Sequence, residues 1–324
     1  MTSWPMSAAL NRAIRDAMSG DDRVLLLGED IGVSGGVFRV TDGLLDAFGD
    51  RRVFDTPISE AGIVGAAVGL CFAGWRPVVE LQFDAFSYPA FEQVVDHVAK
   101  MRMRTRGRVD MPITIRIPAF GGIKGKEHHG ESPETYFAHT AGLKVAAPSS
   151  ALDAYALLRH AIDDPDPVIV LEPKARYWSK EDGDLEEDAL PLGTARVLRD
   201  GTDITLIAYG AMVARITDAA EELAHAGIEA RVVDLRWLSP LDDDLLRSCA
   251  QETGRLVVVH EAPRHVGLGA EVAARAMELA FDSLAAPVAR VTGWDVPYPP
   301  ASLEDRYLPS VERILAAAKE TVAY

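Results

Sequence analysis

The feature that most constrains the fold of this chain is an alternation of short apolar strands with amphipathic helices, which occurs twice. Strands such as Val24–Leu27 and Val168–Leu171 alternate with helices in the first half, and a second series of the same kind begins at Asp203. Strands that are joined through helices run parallel, and a parallel sheet needs helices on both of its faces. The sequence therefore predicts an α/β protein with two three-layered domains and mainly parallel sheets.

A change of composition separates the two series. The run Ser179–Asp188 is strongly acidic, which is typical of a solvated linker. With 324 residues, the chain is long enough for two domains that each have their own core. We therefore predict a first domain at residues 1–178, an acidic linker at 179–193 and a second domain at 194–324.

Charge and cysteine content exclude several classes of protein. The formal net charge of −16 disfavours binding to nucleic acid or to an anionic membrane, since both need a positive field. Cys71 and Cys249 both fall in apolar helical patterns, so they indicate neither a disulfide nor a metal site. The sequence contains no signal-peptide pattern and no apolar run of the roughly 20 residues that a bilayer requires. We expect a soluble, cytoplasmic protein.

The segment from Ser59 onward is typical of a loop that runs into a helix. Ser59 is in the position of an N-cap, and Glu60 lies in the first turn, where the helix dipole favours a carboxylate. Small residues that let another backbone approach closely follow on one helical face, namely Gly62, Gly65, Ala66 and Gly69. Two interpretations stay open: Glu60 serves chemistry on a rigid support, or it only stabilises its own helix.

A glycine-rich loop, Gly121–Glu131, follows a predicted buried strand. It resembles a phosphate-binding loop, but the spacing is one residue short and Glu127 replaces the Ser or Thr that would bind magnesium. Adjacent histidines, His128 and His129, cannot easily point at one metal ion from a regular element. Gly267–Gly269 lacks the third glycine of a dinucleotide fingerprint. We interpret the loop as the wall of a pocket, with a solvated surface loop as the alternative.

A series of short motifs runs through almost the whole chain in a fixed order. Its members are Ile58–Ala61, Gln82–Phe86, His128–His129, Phe137–Val145, Leu171–Lys174, Val233–Arg236, His260–Pro263 and Tyr307–Val311. Together they resemble the beta subunit of the thiamine-diphosphate-dependent, decarboxylating component of 2-oxoacid dehydrogenase complexes. The resemblance implies a transketolase-like pyrimidine-binding domain followed by a transketolase C-terminal domain.

The resemblance also implies roles for individual residues. Thiamine diphosphate becomes nucleophilic only when a carboxyl group shares a proton with its pyrimidine ring, and Glu60 matches that carboxyl group. His129 matches a catalytic histidine next to the reactive carbon that assists acyl transfer to a lipoyl group. The residues that match the lining of the cofactor pocket are Glu29, Ile58, Gln82 and Phe86. The carbonyls that match a site for a structural monovalent cation, K⁺, are those of Ile113, Ala161, Ile162, Asp164 and Asp166.

Half of a thiamine site is missing from the sequence. Thiamine enzymes hold the diphosphate and its Mg²⁺ with a Gly-Asp-Gly motif and a later Asn, and no Gly-Asp-Gly occurs in this chain. The resemblance implies that an alpha subunit supplies this half in an α₂β₂ heterotetramer, with the active site at the interface. It further implies docking to a dihydrolipoyl acyltransferase core through a small basic domain, which an acidic chain suits.

The substrate and even the activity leave alternatives. Leu171–Lys174 and Tyr177 resemble branched-chain enzymes more than pyruvate enzymes, and acetoin-cleaving relatives share much of the pattern. Two segments depart from the family: Gly130–Ser132 adds a negative charge beside the histidine, and Met101–Arg104 replaces two tyrosines. The changed residues after His129 are the only support for the alternative of a noncatalytic scaffold subunit.

Overall fold

The computed structural model of the chain describes residues 2–186 and 191–324. The strands in these ranges are β1 (Thr2–Pro5), β2 (Val24–Gly28), β3 (Val53–Asp55), β4 (Arg76–Glu80), β5 (Thr114–Ala119), β6 (Lys144–Ala146), β7 (Val168–Pro173), β8 (Lys180–Gly183), β9 (Arg196–Arg199), β10 (Ile204–Ala208), β11 (Ala230–Asp234), β12 (Trp237–Ser239), β13 (Leu256–Pro263) and β14 (Ala289–Gly293). The α-helices are α1 (Met6–Gly20), α2 (Leu44–Phe48), α3 (Glu60–Phe72), α4 (Met101–Arg104), α5 (Glu134–Ala138), α6 (Ala151–Asp163), α7 (Met212–His225), α8 (Asp243–Thr253), α9 (Leu268–Ala280), α10 (Glu304–Tyr307) and α11 (Val311–Ala323). No helix in the described ranges is both long enough and apolar enough to span a bilayer.

Two sheets organise the chain. The larger has seven strands in the order β12-β6-β7-β5-β4-β2-β3, and the smaller has five in the order β14-β13-β10-β11-β9. Apart from the antiparallel strands β12 and β9, which each lie at a sheet edge, neighbouring strands in both sheets run parallel. Central strands such as β2 are buried at every residue because helices cover both faces. The predicted fold class, α/β with mainly parallel sheets, is confirmed.

The acidic run that the sequence marks as a linker begins as part of a strand. Lys180–Gly183 forms β8 and pairs antiparallel with β1, so that Gly183 lies opposite Thr2. A side-chain oxygen of Glu181 also accepts the backbone N–H of Leu152, at 2.9 Å. The first part of the run is therefore bound to the N-terminal half, while residues 187–190 of the predicted linker lie outside the described ranges.

The second half of the chain also contributes to the first sheet. Trp237–Ser239, which the sequence pattern leaves between a strand and a helix, forms β12 and pairs antiparallel with β6. Trp237 is 1% exposed and packs in the same core as α1 and α6. The two halves are thus joined by a shared sheet as well as by the chain itself.

Helical structure departs from the sequence expectation at two places. The pattern predicts one helix from Pro89 to Arg102, but Gln93–Val98 is π-helical, and the N–H of Ala99 bonds to the carbonyl of Val94, five residues back. The wider turn ends the helix before α4 begins. The last helix, α11, is not predicted from the sequence at all, although Ser310 caps it by accepting from the N–H of Arg313.

Candidate active site

Register brings the predicted site residues to one edge of the larger sheet. Gly28, the last residue of β2, lies opposite Asp55 of β3 on one side and Glu80 of β4 on the other. Because the three strands are parallel and end together, the segments that follow them meet at the same edge. These segments carry the predicted residues Glu29, Ile58, Glu60, Gln82 and Phe86.

The hydrogen bonds of Gln82 and the raised pKa of Glu29 show that these segments are in contact. The amide nitrogen of Gln82 lies 3.2 Å from the carbonyl oxygen of Glu29 and 3.1 Å from a carboxylate oxygen of Asp30, and donates to both. Burial raises the pKa of Glu29, and the negative charges of Glu60 and Asp30 raise it further. A hydrogen bond from the backbone of Ser59 partly opposes this rise. Glu29, Glu60 and Gln82 therefore share one environment.

Glu29 holds a buried polar atom without a partner. Its side chain is 7% exposed, and Oε1 makes no hydrogen bond within the described residues. A buried acceptor without a donor is destabilising and rare in folded proteins. Oε1 of Glu29 is therefore available to a donor that binds from outside this chain.

Helix α3 begins at Glu60, and Ser59 occupies the N-cap position, both as predicted. The Ser59 side chain nevertheless makes no capping bond, although its hydroxyl lies near Gly62. A β-carbon on Gly62 would lie 2.8 Å from that oxygen. The predicted N-cap position of Ser59 is therefore confirmed without the side-chain bond, and Glu60 lies in the first helical turn.

The small-residue face of α3 is open in the described chain. Ile63, Val64 and Ala67 form the buried face, whereas Gly62, Ala66 and Gly69 are exposed. Just before the helix, the large apolar side chain of Ile58 is 85% exposed. The edge that carries Glu60 thus presents apolar and small residues to whatever lies beyond this chain.

Three rings line the other side of the site. The centroid of His129 lies 4.2 Å from that of Phe83 and 5.4 Å from that of Phe86, and both contacts are edge-on. The Nδ1 atom of His129 is 2.8 Å from the carbonyl oxygen of Glu127. A carbonyl can only accept, so Nδ1 carries a proton, and Nε2 is the acceptor of the neutral ring.

The same loop shows no metal centre. Glu127 and His128 are exposed, and no group of three or more His, Cys, Asp or Glu side chains in the described ranges is arranged to bind a metal ion.

A buried ion pair behind the rings was not singled out by the sequence. Lys174 and Asp84 are both fully buried and in contact, and the ammonium lies 5.9 Å from the Phe83 ring centroid. Burial lowers the pKa of Lys174 and raises that of Asp84, and the pairing opposes both shifts. Burial, and then Asp84, raises the pKa of the half-buried Glu131. The available signal was a polar Glu-Pro-Lys sequence at the end of a buried strand, β7.

A second buried network fixes the strands beneath the site. Arg116 of β5 donates to Glu80 of β4 at 2.6 Å and to both carboxylate oxygens of Glu172 of β7, at 2.7 and 2.8 Å. The hydroxyl of Tyr177 donates to Glu172 at 2.6 Å. Burial works to lower the pKa of Arg116, but the two carboxylates outweigh it and raise the pKa. These groups satisfy one another within the chain.

The five residues whose carbonyls are predicted to hold a monovalent cation lie close in sequence to the starts of β5 and β7, at the opposite end of these strands from the predicted cofactor site. Arg76 donates to the carbonyl of Ile162 at 2.6 Å and to that of Asp164 at 3.3 Å, and the hydroxyl of Thr114 donates to that of Ala161 at 3.0 Å. The carbonyl of Ile113 accepts the N–H of Val168, also at 3.0 Å, and the N–H of Asp166 bonds to the Asp164 carboxylate. A carbonyl oxygen has two lone pairs, so these oxygens keep capacity for a further partner.

The fold and the site together define a transketolase-like protein. The transketolase pyrimidine-binding domain family matches residues 3–179, and the transketolase C-terminal domain family matches residues 193–314. Among curated proteins, the chain is 55% identical over 316 residues to the 3-methyl-2-oxobutanoate dehydrogenase subunit beta of Mycobacterium tuberculosis, covering 97% of this chain and 90% of that protein. It is 52% identical over 322 residues to the pyruvate dehydrogenase E1 component subunit beta of Leifsonia xyli, covering 99% and 96%. The chain belongs to the family of beta subunits of thiamine-diphosphate-dependent 2-oxoacid dehydrogenases.

A solved structure agrees with the family assignment. A chain described as a split gene transketolase, inactive beta4 tetramer, matches with a TM-score of 0.81 and 25% sequence identity over 98% of each chain. The resemblance that the sequence motifs predict is therefore confirmed at the level of the family and the fold.

Proposed function

We propose that this chain is the beta subunit of a branched-chain 2-oxoacid dehydrogenase and that it acts only together with an alpha subunit. The pair decarboxylates the 2-oxoacid on thiamine diphosphate and transfers the acyl group to a lipoyl domain. Two observations support the proposal: Glu29, which has a buried oxygen without a partner in the described residues, interacts with Glu60 at the strand ends, and Phe86, which follows β4 at the same ends, is in ring contact with His129.

The residues at this edge fit the pyrimidine half of the cofactor. When bound, thiamine diphosphate supplies a nucleophilic carbon that accepts the electrons released by decarboxylation. Glu60, at the start of a rigid helix, would share a proton with the pyrimidine ring of the cofactor. The aromatic ring of Phe86 would pack against the same pyrimidine ring. Gln82 and Glu29 supply polar contacts at the same edge, and Ile58 an apolar one.

His129 acts on the substrate side of the site. Its Nδ1 proton is fixed by the Glu127 carbonyl, which leaves Nε2 free to exchange a proton with the reacting groups. The rings of Phe83 and Phe86 restrict the imidazole and exclude water from two of its sides. We assign it the role of assisting acyl transfer to the lipoyl group.

The alpha subunit supplies the missing half of the site, including Mg²⁺ and the diphosphate contacts. The exposed Ile58 and the open small-residue face of α3 support an interface at this edge. The solved transketolase assembly of beta chains alone is described as inactive, which agrees with a beta chain that needs its partner. We propose an α₂β₂ heterotetramer that docks to an acyltransferase core, and K⁺ as the cation at the predicted carbonyl site that includes Ile113 and Ala161.

A branched-chain substrate is favoured by one relative and one motif. The relative with 55% identity is a 3-methyl-2-oxobutanoate dehydrogenase subunit, and Leu171–Lys174 places a buried lysine behind the aromatic rings. Pyruvate is the second candidate, because relatives with 52% and 45% identity are pyruvate dehydrogenase subunits.

The test is 2-oxoacid-dependent reduction of an artificial electron acceptor by this chain, by its alpha partner, and by the mixture. The acids are pyruvate, 3-methyl-2-oxobutanoate and 4-methyl-2-oxopentanoate. We expect activity only in the mixture and the highest kcat/KM with the two branched acids. A higher kcat/KM with pyruvate would overturn the substrate assignment, and full activity of this chain alone would overturn the shared site.

A further inference from the structure

The loop that carries His129 has an unfavourable backbone conformation. Three residues other than glycine have positive φ angles here: 71° at Phe120, 53° at Lys124 and 67° at His128. Side chains disfavour this left-handed region, so it persists only where surrounding contacts hold the backbone. This loop must therefore be held by contacts with the rest of the chain.

Two carboxylates from the far end of the chain bond to the loop backbone. Glu261 of β13 accepts the N–H of Gly121 at 2.7 Å. Glu304, at the start of α10, accepts the N–H groups of Gly122 and Lys124 at 3.1 and 3.0 Å. Both carboxylates are at most 3% exposed. Such charge-assisted bonds are stronger than neutral ones, particularly when buried.

Tyr298 joins Glu304 to both ends of the loop. Its hydroxyl donates to the Glu304 carboxylate at 2.6 Å. Its ring lies against Gly130, where a β-carbon would come within 2.3 Å of the ring, and its hydroxyl would lie 2.0 Å from a β-carbon on Gly121. Gly130 directly follows His129, so the aromatic ring occupies the space that a side chain at position 130 would need.

We propose that Tyr298 and Glu304 form a latch that positions His129, and that position 130 is glycine because the Tyr298 ring fills its side-chain space. This inference rests on the proposed function, because His129 is assigned its catalytic role there. Tyr298 and Glu304 are positioning residues: they act through the loop, and a displacement of about 1 Å at a catalytic group can lower a rate about 10²-fold. The latch also explains the departure at Gly130 from the family pattern.

The first test measures the loop itself, with no cofactor or substrate. Hydrogen exchange of the amides between residues 121 and 130 is followed in the full chain. Glu304→Ala removes the acceptor of two N–H groups, so we expect exchange at Gly122 and Lys124 to rise about tenfold or more. Tyr298→Phe keeps the ring and should raise it only a few-fold.

The matched control is Asp305→Asn, beside Glu304. Asp305 forms an exposed ion pair with the Lys124 side chain at 3.0 Å, and such pairs contribute little, so loop exchange should stay within about twofold of the wild type. Unchanged loop exchange in a folded Glu304→Ala chain would overturn the latch.

The second test swaps the sterically paired residues in the assembled enzyme. Gly130→Ser should lower kcat for acyl transfer to a lipoyl domain about 10²-fold, with a smaller loss in artificial-acceptor reduction. Adding Tyr298→Ala removes the ring, and with it the latch, so the double variant should lose no more acyl transfer than Tyr298→Ala alone. Losses that multiply in the double variant would contradict the proposal.

The two tests separate the latch from the proposed function. A latch that controls loop exchange while every variant transfers acyl groups normally would refute the positioning of a catalytic His129. An assembled wild-type enzyme inactive with all three acids would refute the proposed function, and the exchange result would still decide whether Tyr298 and Glu304 hold the loop.

Discussion

Two buried carboxylates at neighbouring strand ends differ in their hydrogen-bond partners. Glu80 closes β4 and Glu29 follows β2, and both are nearly buried, at 4% and 7% exposure. Glu80 is bonded to Arg116 within the chain, whereas Oε1 of Glu29 has no partner in the described part of the chain. Glu80 therefore holds neighbouring strands together, whereas Glu29 keeps an oxygen available for a ligand, which agrees with the role proposed for it.

The largest effect is expected at the functional edge, from Glu60→Gln. An amide cannot hold and return a proton as a carboxyl group does, so turnover with the alpha subunit should fall about 10²- to 10⁴-fold. Unfolding of the variant should match the wild type, since Glu60 is partly exposed and has no ion pair in the described ranges. Unchanged turnover would support the scaffold alternative.

The architectural network should respond in stability instead. Arg116→Met leaves Glu80 and Glu172 buried without their cation, so the free energy of unfolding should fall by about 3–5 kcal/mol in urea titration. Arg12→Ala is the control, because Arg12 pairs with Asp16 on the surface and should cost less than about 1 kcal/mol. Similar losses of stability in the two variants would show that the buried Arg116 network contributes no more than a surface ion pair.

A third buried carboxylate, Glu134, should make the stability of the chain depend on pH. It is fully buried, and burial raises its pKa to about 7, although the hydroxyl of Tyr209 donates to Oε1 at 2.6 Å. A raised carboxyl pKa means that the folded chain retains the proton, so stability is full below about pH 4.5 and is lost as pH rises to about 7.

Relative to Glu134→Gln, the wild-type chain should therefore lose about 3 kcal/mol of unfolding free energy between these pH values. Urea titrations at several pH values measure the difference. Glu278→Gln, at an exposed site on α9, is the control and should give a curve parallel to the wild type. A constant difference between Glu134→Gln and the wild type would contradict the raised pKa.

The smallest effect on stability is expected at Glu29. Glu29→Gln removes a charge whose ionised form burial and Glu60 disfavour, so the chain alone should unfold at the same or a slightly higher urea concentration. Cofactor affinity of the assembled enzyme, measured by calorimetry, should fall about tenfold, as expected for the loss of one charge-assisted bond. A large loss of stability would show that Glu29, like Glu80, mainly stabilises the fold.

Much of the fold was predictable because it follows local periodicity. The strand predicted at Val24–Leu27 extends one residue further, to Gly28, and the strand predicted at Val168–Leu171 continues to Pro173. Trp237–Ser239 escaped prediction because its pairing partner, β6, is far away in sequence and three residues carry no period. Ser59 has the predicted N-cap position, but its side chain makes no bond to a helix N–H, a detail of local geometry that the sequence does not show.

The candidate site was predictable only in part. Family motifs pointed to Glu60 and His129, and sheet register places the segment of Glu60 beside those of Glu29 and Gln82. The contacts that hold the His129 loop were not predicted: Glu261 lies in one of the motifs, but nothing in the sequence links it to Gly121, 140 residues away, and Glu304 bonds to Gly122 across 182 residues. Long-range contacts of this kind are decided by packing, which a single sequence does not display.

The position of β12 sets an order of events during synthesis. The N-terminal half emerges from the ribosome first, but the outer edge of β6 has no partner until Trp237–Ser239 has been made. An unpaired edge offers free N–H and C=O groups to other chains. Fragments that stop before Trp237 should therefore aggregate through β6, and the nascent chain must shield this edge until the second half arrives.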